Sequence, residues 1–573
     1  MSTDHDSASE TRRRRGSLAC NTCRARRTKC DGKRPICSFC AERGKDCFYQ
    51  GAPEPPPSPL KQELSRIWEQ LEHMTGVVQG QSPPPETPPF RKERAYNHAL
   101  AIKDTFLGFP FMTVQTAAFM DLLGLDRAFP LVLEKMERGR HPVSGRPSGV
   151  PIVMVDFQRA SDLLHAFAEH IHIWYPILHE DYTDEFLQTI ASFFPPSPGS
   201  CLALLVLAIG SIVECESVVH ALQSRPETIY IQAAMEMLPH VLSDSSLRST
   251  QCLLLFSIYH LCYAQPCQAH DFVAMASYKL QNSLLNDFSM ENDHAQMSIF
   301  GNCFWSALLI ESEITVQLDL VDSGIWNMIP LAPAPASLGS WTWVHDPSAL
   351  SPTSDTGTGS GPMPSYTITT DLSYFMAEIA MRKMLHHCTW SIRTVAQNNS
   401  HAYAPIVAVE LERQLDEWHQ LLPDGLSFKT SSTFTSYRSQ PQVGFLRTQY
   451  FAFKASIYWP AAVEVFTTGE ASDELLFHCQ RFFDSYIEFV MSASVSVGLC
   501  KPNIWTLYTS IFTISMGALA ALSEPCLSGF LSPRMAHCLN CAVSIFSSVM
   551  EISPSLARMG EILRDRTSHA LSH

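Results

Sequence analysis

Along most of this chain, apolar residues recur at every third or fourth position. Phe157, Ala160, Leu164, Phe167, Ile171 and Trp174 form one such stripe, and Pro176 ends it. Apolar or amphipathic stretches follow at 201–215, 250–264, 303–318, 372–391, 402–422, 443–468, 475–497 and 527–552. Strand-like alternation is scarce, so the spacing predicts a large all-helical region over 95–570. A stretch rich in Ser, Thr, Gly and Pro interrupts it at 332–370 and is expected to be a long flexible loop. Gly357, Gly359 and Gly361 within it lack the spacing and flanks of a phosphate loop and read as linker. Ile504 to Leu522 is long and uncharged. Its Thr506, Tyr508, Thr509, Ser510, Thr513 and Ser515 make it too polar for a membrane span, and a buried helix is expected.

Ahead of this body the pattern changes. Leu60, Leu64, Ile67, Leu71, Met74 and Val78 are spaced alternately four and three apart, an a/d seam with Lys, Gln and Glu between. The seam covers under three heptads, so it is marginal alone. It reads either as a dimerising coiled coil over 60–78 or as one amphipathic helix packing on its own chain. Proline-rich linkers flank it at 51–59 and 79–94, the first stiffened toward polyproline II.

Charge divides the chain further. The net charge of −15 argues on its face against nucleic acid. Residues 11–50, however, hold twelve Lys/Arg against three Asp/Glu, whereas 51–573 hold 29 against 50. A basic head on an acidic body fits a DNA-binding module joined to a part that does not adhere to DNA. The tail, 1–16, is polar and then basic, with no apolar core to make it a signal peptide. Arg12 to Arg15 read as a nuclear import signal or a phosphate-gripping arm, which places the protein in the nucleus.

The basic head carries the chemistry. Cys20, Cys23, Cys30, Cys37, Cys40 and Cys47 follow the spacing C-x2-C-x6-C-x6-C-x2-C-x6-C. Each half is a CxxC pair, able to clamp one ion from a tight turn, with a third thiol able to return to it. Two tetrahedral zinc ions want eight ligand positions and six thiolates are present, so two sulfurs must bridge. The natural bridges are the first cysteines of each half, Cys20 and Cys37. A disulfide staple does not suit a reducing compartment, and a four-cysteine ribbon would strand Cys30 and Cys47 in a basic, solvent-exposed segment. The remaining twelve cysteines are scattered as buried small hydrophobes usually are. Even Cys538 and Cys541, a third CxxC, lie in an apolar helical stretch and read as core.

The head, residues 17–50, resembles the six-cysteine binuclear zinc cluster of fungal transcription factors. The pattern C-x2-C-R-x-x-K-x-K-C is matched at Arg24 and Lys29 and by the loop residue Pro35, with Arg27 where lysine is more usual. The resemblance implies two Zn2+ per chain, a CGG half-site in double-stranded DNA, action on RNA polymerase II promoters, and a homodimer built on the 60–78 seam. The family's base-reading position, three before the third cysteine, is Arg27 here. The residues themselves point the same way. Arg24 to Lys29 should form a short helix whose metal-fixed end enters the major groove. Arg26 and Arg27 are placed to meet guanine O6 and N7. Arg24, Lys29, Lys33 and Arg34 are expected to grip phosphates.

The body resembles the fungal-specific transcription factor domain, or middle homology region. The similarity lies at 165–186, 252–261, 303–320 and 410–423, with Glu311 where that domain often has aspartate. No HExxH, GxSxG or P-loop signature occurs, so no enzyme is expected. His165, His170, His172 and His179 cluster in one stretch and are expected to be packing and surface histidines rather than ligands. The acids Glu311, Glu313 and Asp319 carry no assignable pairing. The resemblance implies control of a metabolic or secondary-metabolite gene set. Two classes stay open for the body: a module responding to a small-molecule effector, and a coregulator scaffold or repressor without ligand sensing. An apolar cavity with converging polar groups favours the first and a filled core the second.

Overall fold

The computed structural model describes residues 19–31, 33, 36–45, 47, 117–140, 153–179, 181–286, 294–336, 340–344, 365–369, 372–396, 405–430 and 440–572. The 60–78 seam, both proline-rich linkers, Arg12 to Arg15, Arg34 and Pro35 lie outside them. The chain divides into two units, 1–92 and 93–573.

Among its described residues the first unit has two short helices, α1 (Asn21–Ala25) and α2 (Ser38–Glu42), each beginning just after a cysteine.

The second unit is helical, as the apolar spacing predicts. The stripe starting at Phe157 forms the helix Phe157–Phe167. The Asp156 carboxylate caps it by accepting the Arg159 N–H at 2.8 Å. Beyond Phe167 the helix widens into a π-turn, Ala168–His172, which keeps Ile171 and Trp174 facing inward. Against it lies Pro198–Val213, capped by Ser197 and buried nearly all round. The two backbones meet at Gly210, where a Cβ would lie 2.3 Å from the Leu163 carbonyl oxygen. No other residue allows that approach. Long helices Leu247–Cys262, Pro266–Asn286 and His294–Gln317 follow, and then, beyond the 332–370 segment, Ser373–Ala396, Pro405–Gln420, Pro441–Thr468 and Asp473–Ser496.

Among the described residues one helix, Lys501–Leu522, is long and apolar enough to cross a membrane by length and composition, and 89% of its apolar window is buried in the protein. Its polar side chains are satisfied locally. Thr509 donates to the Trp505 carbonyl at 2.9 Å, and Thr513 to the Thr509 carbonyl at 3.0 Å. Ser515 accepts the Tyr486 hydroxyl at 3.1 Å. It is the buried core helix expected from its polarity.

Basic side chains cap several helix ends, where carbonyls lack helical partners. Arg140 donates to the Tyr263 and Ala264 carbonyls at the end of Leu247–Cys262, at 3.1 and 2.6 Å, and to the Ile552 carbonyl in a turn between helices at 2.8 Å. Lys501 reaches the Val213 and Cys215 carbonyls, and Lys279 those of Leu242 and Asp244. A run of apolar residues thus predicts a helix, but not which distant cation ends it.

The 332–370 segment differs from the flexible loop expected of it. Its start is pinned: Asn302 exchanges two 3.0 Å hydrogen bonds with the Ala336 backbone, and the Trp305 indole donates to Pro333 at 2.9 Å. Ser340–Val344 and Ser365–Thr369 then pair as an antiparallel two-stranded ladder, Ser340 opposite Thr369. The loop reading missed this because composition sees the Ser, Thr and Gly and not a backbone partner some 25 residues away.

Candidate metal centre and nucleic-acid interface

The six cysteines build two lobes related by a shift of 17 residues. In each, a five-residue helix starts just after the first cysteine of a CxxC and carries the second, and a tight left-handed turn and then the third cysteine follow. The hydrogen bonds repeat with the residues. The Cys20 N–H donates to Cys30 Sγ at 3.5 Å, and the Cys37 N–H to Cys47 Sγ at 3.3 Å. The Thr28 N–H donates to the Cys23 carbonyl at 3.0 Å, and the Lys45 N–H to that of Cys40 at 3.0 Å.

The sulfurs converge. Cys20 Sγ lies 3.8 Å from the sulfurs of Cys37 and Cys40, and Cys23 Sγ lies 3.6 Å from Cys37. Two sets of four have all their sulfurs within 4.8 Å of one another: Cys20, Cys23, Cys30, Cys37 and Cys20, Cys37, Cys40, Cys47. Tetrahedral zinc with Zn–S bonds of about 2.3 Å requires sulfurs about 3.8 Å apart. The donor set therefore fits zinc, and the two sets share the pair picked out by the spacing, Cys20 and Cys37.

Crowding of the thiols divides their proton affinities. The Cys23 backbone N–H, 3.4 Å from Cys20 Sγ, brings that thiol down to about 6. Burial, and then the neighbouring thiols Cys20 and Cys37, push Cys23 up to about 12; burial and the same pair raise Cys40. Crowded thiols resist becoming thiolates together, and a divalent ion reverses that by deprotonating them outright.

The turn after α1 carries the exposed cations. Arg26, Arg27 and Lys29 are exposed, as is Lys33 in the segment between the lobes. Arg24 lies in α1, but its side chain, like Arg34, falls outside the described residues. Arg27 has φ +53°, a left-handed backbone unusual for a side-chain-bearing residue. Its counterpart 17 residues on is Gly44, also at φ +53°. The second lobe thus uses the residue the turn prefers, and the first lobe places an arginine there.

The sequence reading overlooked Asp31. Its carboxylate accepts the Ser38 backbone N–H at 3.1 Å and the Ser38 hydroxyl at 2.6 Å, joining the end of the first lobe to the start of α2. Helix-capping patterns look for an acceptor beside the helix start, and this one comes from seven residues away.

In the second unit the candidate groups take structural partners. His172 is buried with Nε2 3.0 Å from the Leu178 carbonyl oxygen, and burial pushes it down to about 4. His179 pairs with Asp181. Among the described residues, both sets of three or more metal-capable side chains are made of cysteines alone. Glu311 is buried and accepts Ser277 and Ser323 hydroxyls, each at 2.7 Å, and Glu313 pairs with Arg382. Cys538 is buried in the core, as expected of it. A cavity of about 10 Å³, room for roughly one water, is lined by Trp174, Tyr175, Glu313, Tyr374, Glu378 and Arg382 among others.

A cage of six clustered cysteines carrying an arginine-rich turn defines a zinc-binding, DNA-binding protein. Comparison with known proteins agrees. Residues 18–55 match the family described as Fungal Zn(2)-Cys(6) binuclear cluster domain. The chain is 34% identical over 581 residues to a protein of Aspergillus rugulosus designated transcription factor ecdB, covering 98% of each chain. Over a shorter stretch it is 44% identical across 52 residues to the Quinic acid utilization activator of Emericella nidulans, covering 9% of this chain and 6% of that one. It is 36% identical across 81 residues to Transcription factor FBD3 of Gibberella moniliformis, covering 13% and 11%. No solved structure matches. The chain belongs to the fungal Zn(2)-Cys(6) transcription factors. It is a zinc-binding, sequence-specific DNA-binding regulator of transcription.

Proposed function

We propose that Cys20, Cys23, Cys30, Cys37, Cys40 and Cys47 hold two zinc ions, with Cys20 and Cys37 bridging. The observation that carries this is the pair of four-sulfur sets sharing those two residues. When bound, the metal supplies charge and a rigid frame, and no reaction step. The chain's own residues do the recognition. Arg27, held out on the left-handed turn and flanked by Arg26, reads guanine edges of a CGG-type half-site. Arg24, Lys29, Lys33 and Arg34 grip phosphates, and the 60–78 seam joins two chains in the nucleus.

The gene set is metabolic. Relatives over short stretches are named for such programmes: quinic acid utilization in Emericella nidulans, and a sorbicillinoid biosynthetic cluster in Hypocrea jecorina. The test is selection of bound sites from random DNA by the zinc-loaded full chain. Recovery of paired CGG triplets is expected; recovery of sites lacking a G-rich triplet refutes the reading.

A second reading concerns the body. At this one site the water-sized cavity, crossed by the Arg382 contacts to Glu313 and Glu378, favours structural packing of a coregulator scaffold over ligand binding.

A further inference from the structure

We propose that Asp31 is a positioning residue for the phosphate contacts made between the two lobes, a proposal that rests on the DNA-binding reading above. Asp31 directly follows Cys30, and Ser38 directly follows Cys37, so the clasp between them ties the last ligand position of one lobe to the first turn of the next. Both carboxylate oxygens are engaged: Oδ1 by the Ser38 N–H at 3.1 Å, Oδ2 by the Ser38 hydroxyl at 2.6 Å. The Lys33 backbone N–H leans on the same carboxylate. The two basic positions assigned to phosphates, Lys33 and Arg34, lie in sequence inside the span that this clasp closes.

The sign of the expected effect separates positioning from charge. Asp31 is an exposed acid within a strongly basic segment. Considered as a charge alone, it repels DNA, and its removal strengthens binding to every sequence. Considered as a clasp, it fixes where Lys33 stands, and its removal leaves that segment to be ordered at the expense of binding.

The experiment uses the zinc-loaded full chain and measures binding to a selected site and to scrambled DNA across a salt series. Asp31→Ala should weaken both by about fivefold, the worth of a lost hydrogen-bonded constraint. The salt slope should fall by about one to two units while the ratio between the two DNAs stays unchanged. Asp31→Asn, which keeps an acceptor oxygen, should restore most of the affinity. In a Lys33→Ala/Arg34→Ala background, Asp31→Ala should change affinity by less than about twofold. The proposal is overturned by unchanged or tighter binding of Asp31→Ala, by an equal loss in the doubly substituted background, or by loss of zinc from the variant. Failure of the unmutated chain to select any DNA would instead overturn the DNA-binding reading itself, and this proposal with it.

Discussion

Replacing Arg27 by glycine should make the metal cage more stable and the protein less discriminating. Arg27 has φ +53° at the turn ending α1, where the second lobe has Gly44 at the same angle. A residue with a Cβ in that conformation loses roughly 1–2 kcal/mol. Glycine has no such penalty but surrenders roughly 0.5–1 kcal/mol of extra chain entropy on folding. The difference favours Arg27→Gly by about 0.5–1 kcal/mol. Because so small a unit folds with its metal, that gain should appear as zinc held about two- to fivefold more tightly against a competing chelator. Arg27→Ala retains the Cβ and should show no such gain. Both variants lose the guanidinium, so discrimination between selected and scrambled DNA should drop by about 1–3 kcal/mol, roughly five- to 150-fold. The assays are chelator competition and paired DNA titrations at fixed salt. If the glycine variant releases zinc as readily as the alanine variant, the strain argument is wrong. If discrimination survives both changes, Arg26 becomes the reader.

Native mass spectrometry of the intact chain should count two zinc ions. Cys20→Ser and Cys37→Ser should lose more metal than Cys47→Ser, since each bridge serves both ions; equal loss from all three speaks against bridging. Gly210→Ala should destabilise the body by about 3 kcal/mol in denaturant unfolding, because its Cβ would meet the Leu163 carbonyl oxygen at 2.3 Å; a change under about 0.5 kcal/mol would show that the two helices separate freely. His172 and His260 are each pushed down to about 4 by burial. The unfolded chain therefore takes up protons that the folded one refuses, so stability is full above about pH 6.5 and falls as pH drops toward 4. The loss is about 3 kcal/mol at most for each. His172→Gln should flatten this pH dependence in thermal unfolding, and an unaltered slope would remove His172 from the account.

Much of this protein can be read without coordinates. Six thiols at fixed spacing point to zinc, and the sharing of Cys20 and Cys37 proposed above follows from asking six donors to fill eight positions. The three-and-four recurrence of apolar residues determines a helical body, and the Thr and Ser scattered over 504–522 mark a core helix, because each can bond back to its own turn. These are local facts, decided by residues a few positions apart. What only the tertiary structure decided depends on groups brought together from far along the chain. The Ser340–Val344 and Ser365–Thr369 pairing needs a backbone partner that composition does not reveal. Asn302 pinning Ala336, and Arg140 closing a helix end at Tyr263 and a turn at Ile552, have no sequence signature, because a side chain does not name its distant acceptor. The left-handed backbone of Arg27 is of the same kind. An arginine there predicts an ordinary helical turn, and only closure of the cage, returning Cys30 toward Cys20, holds it in the conformation its twin gives to glycine.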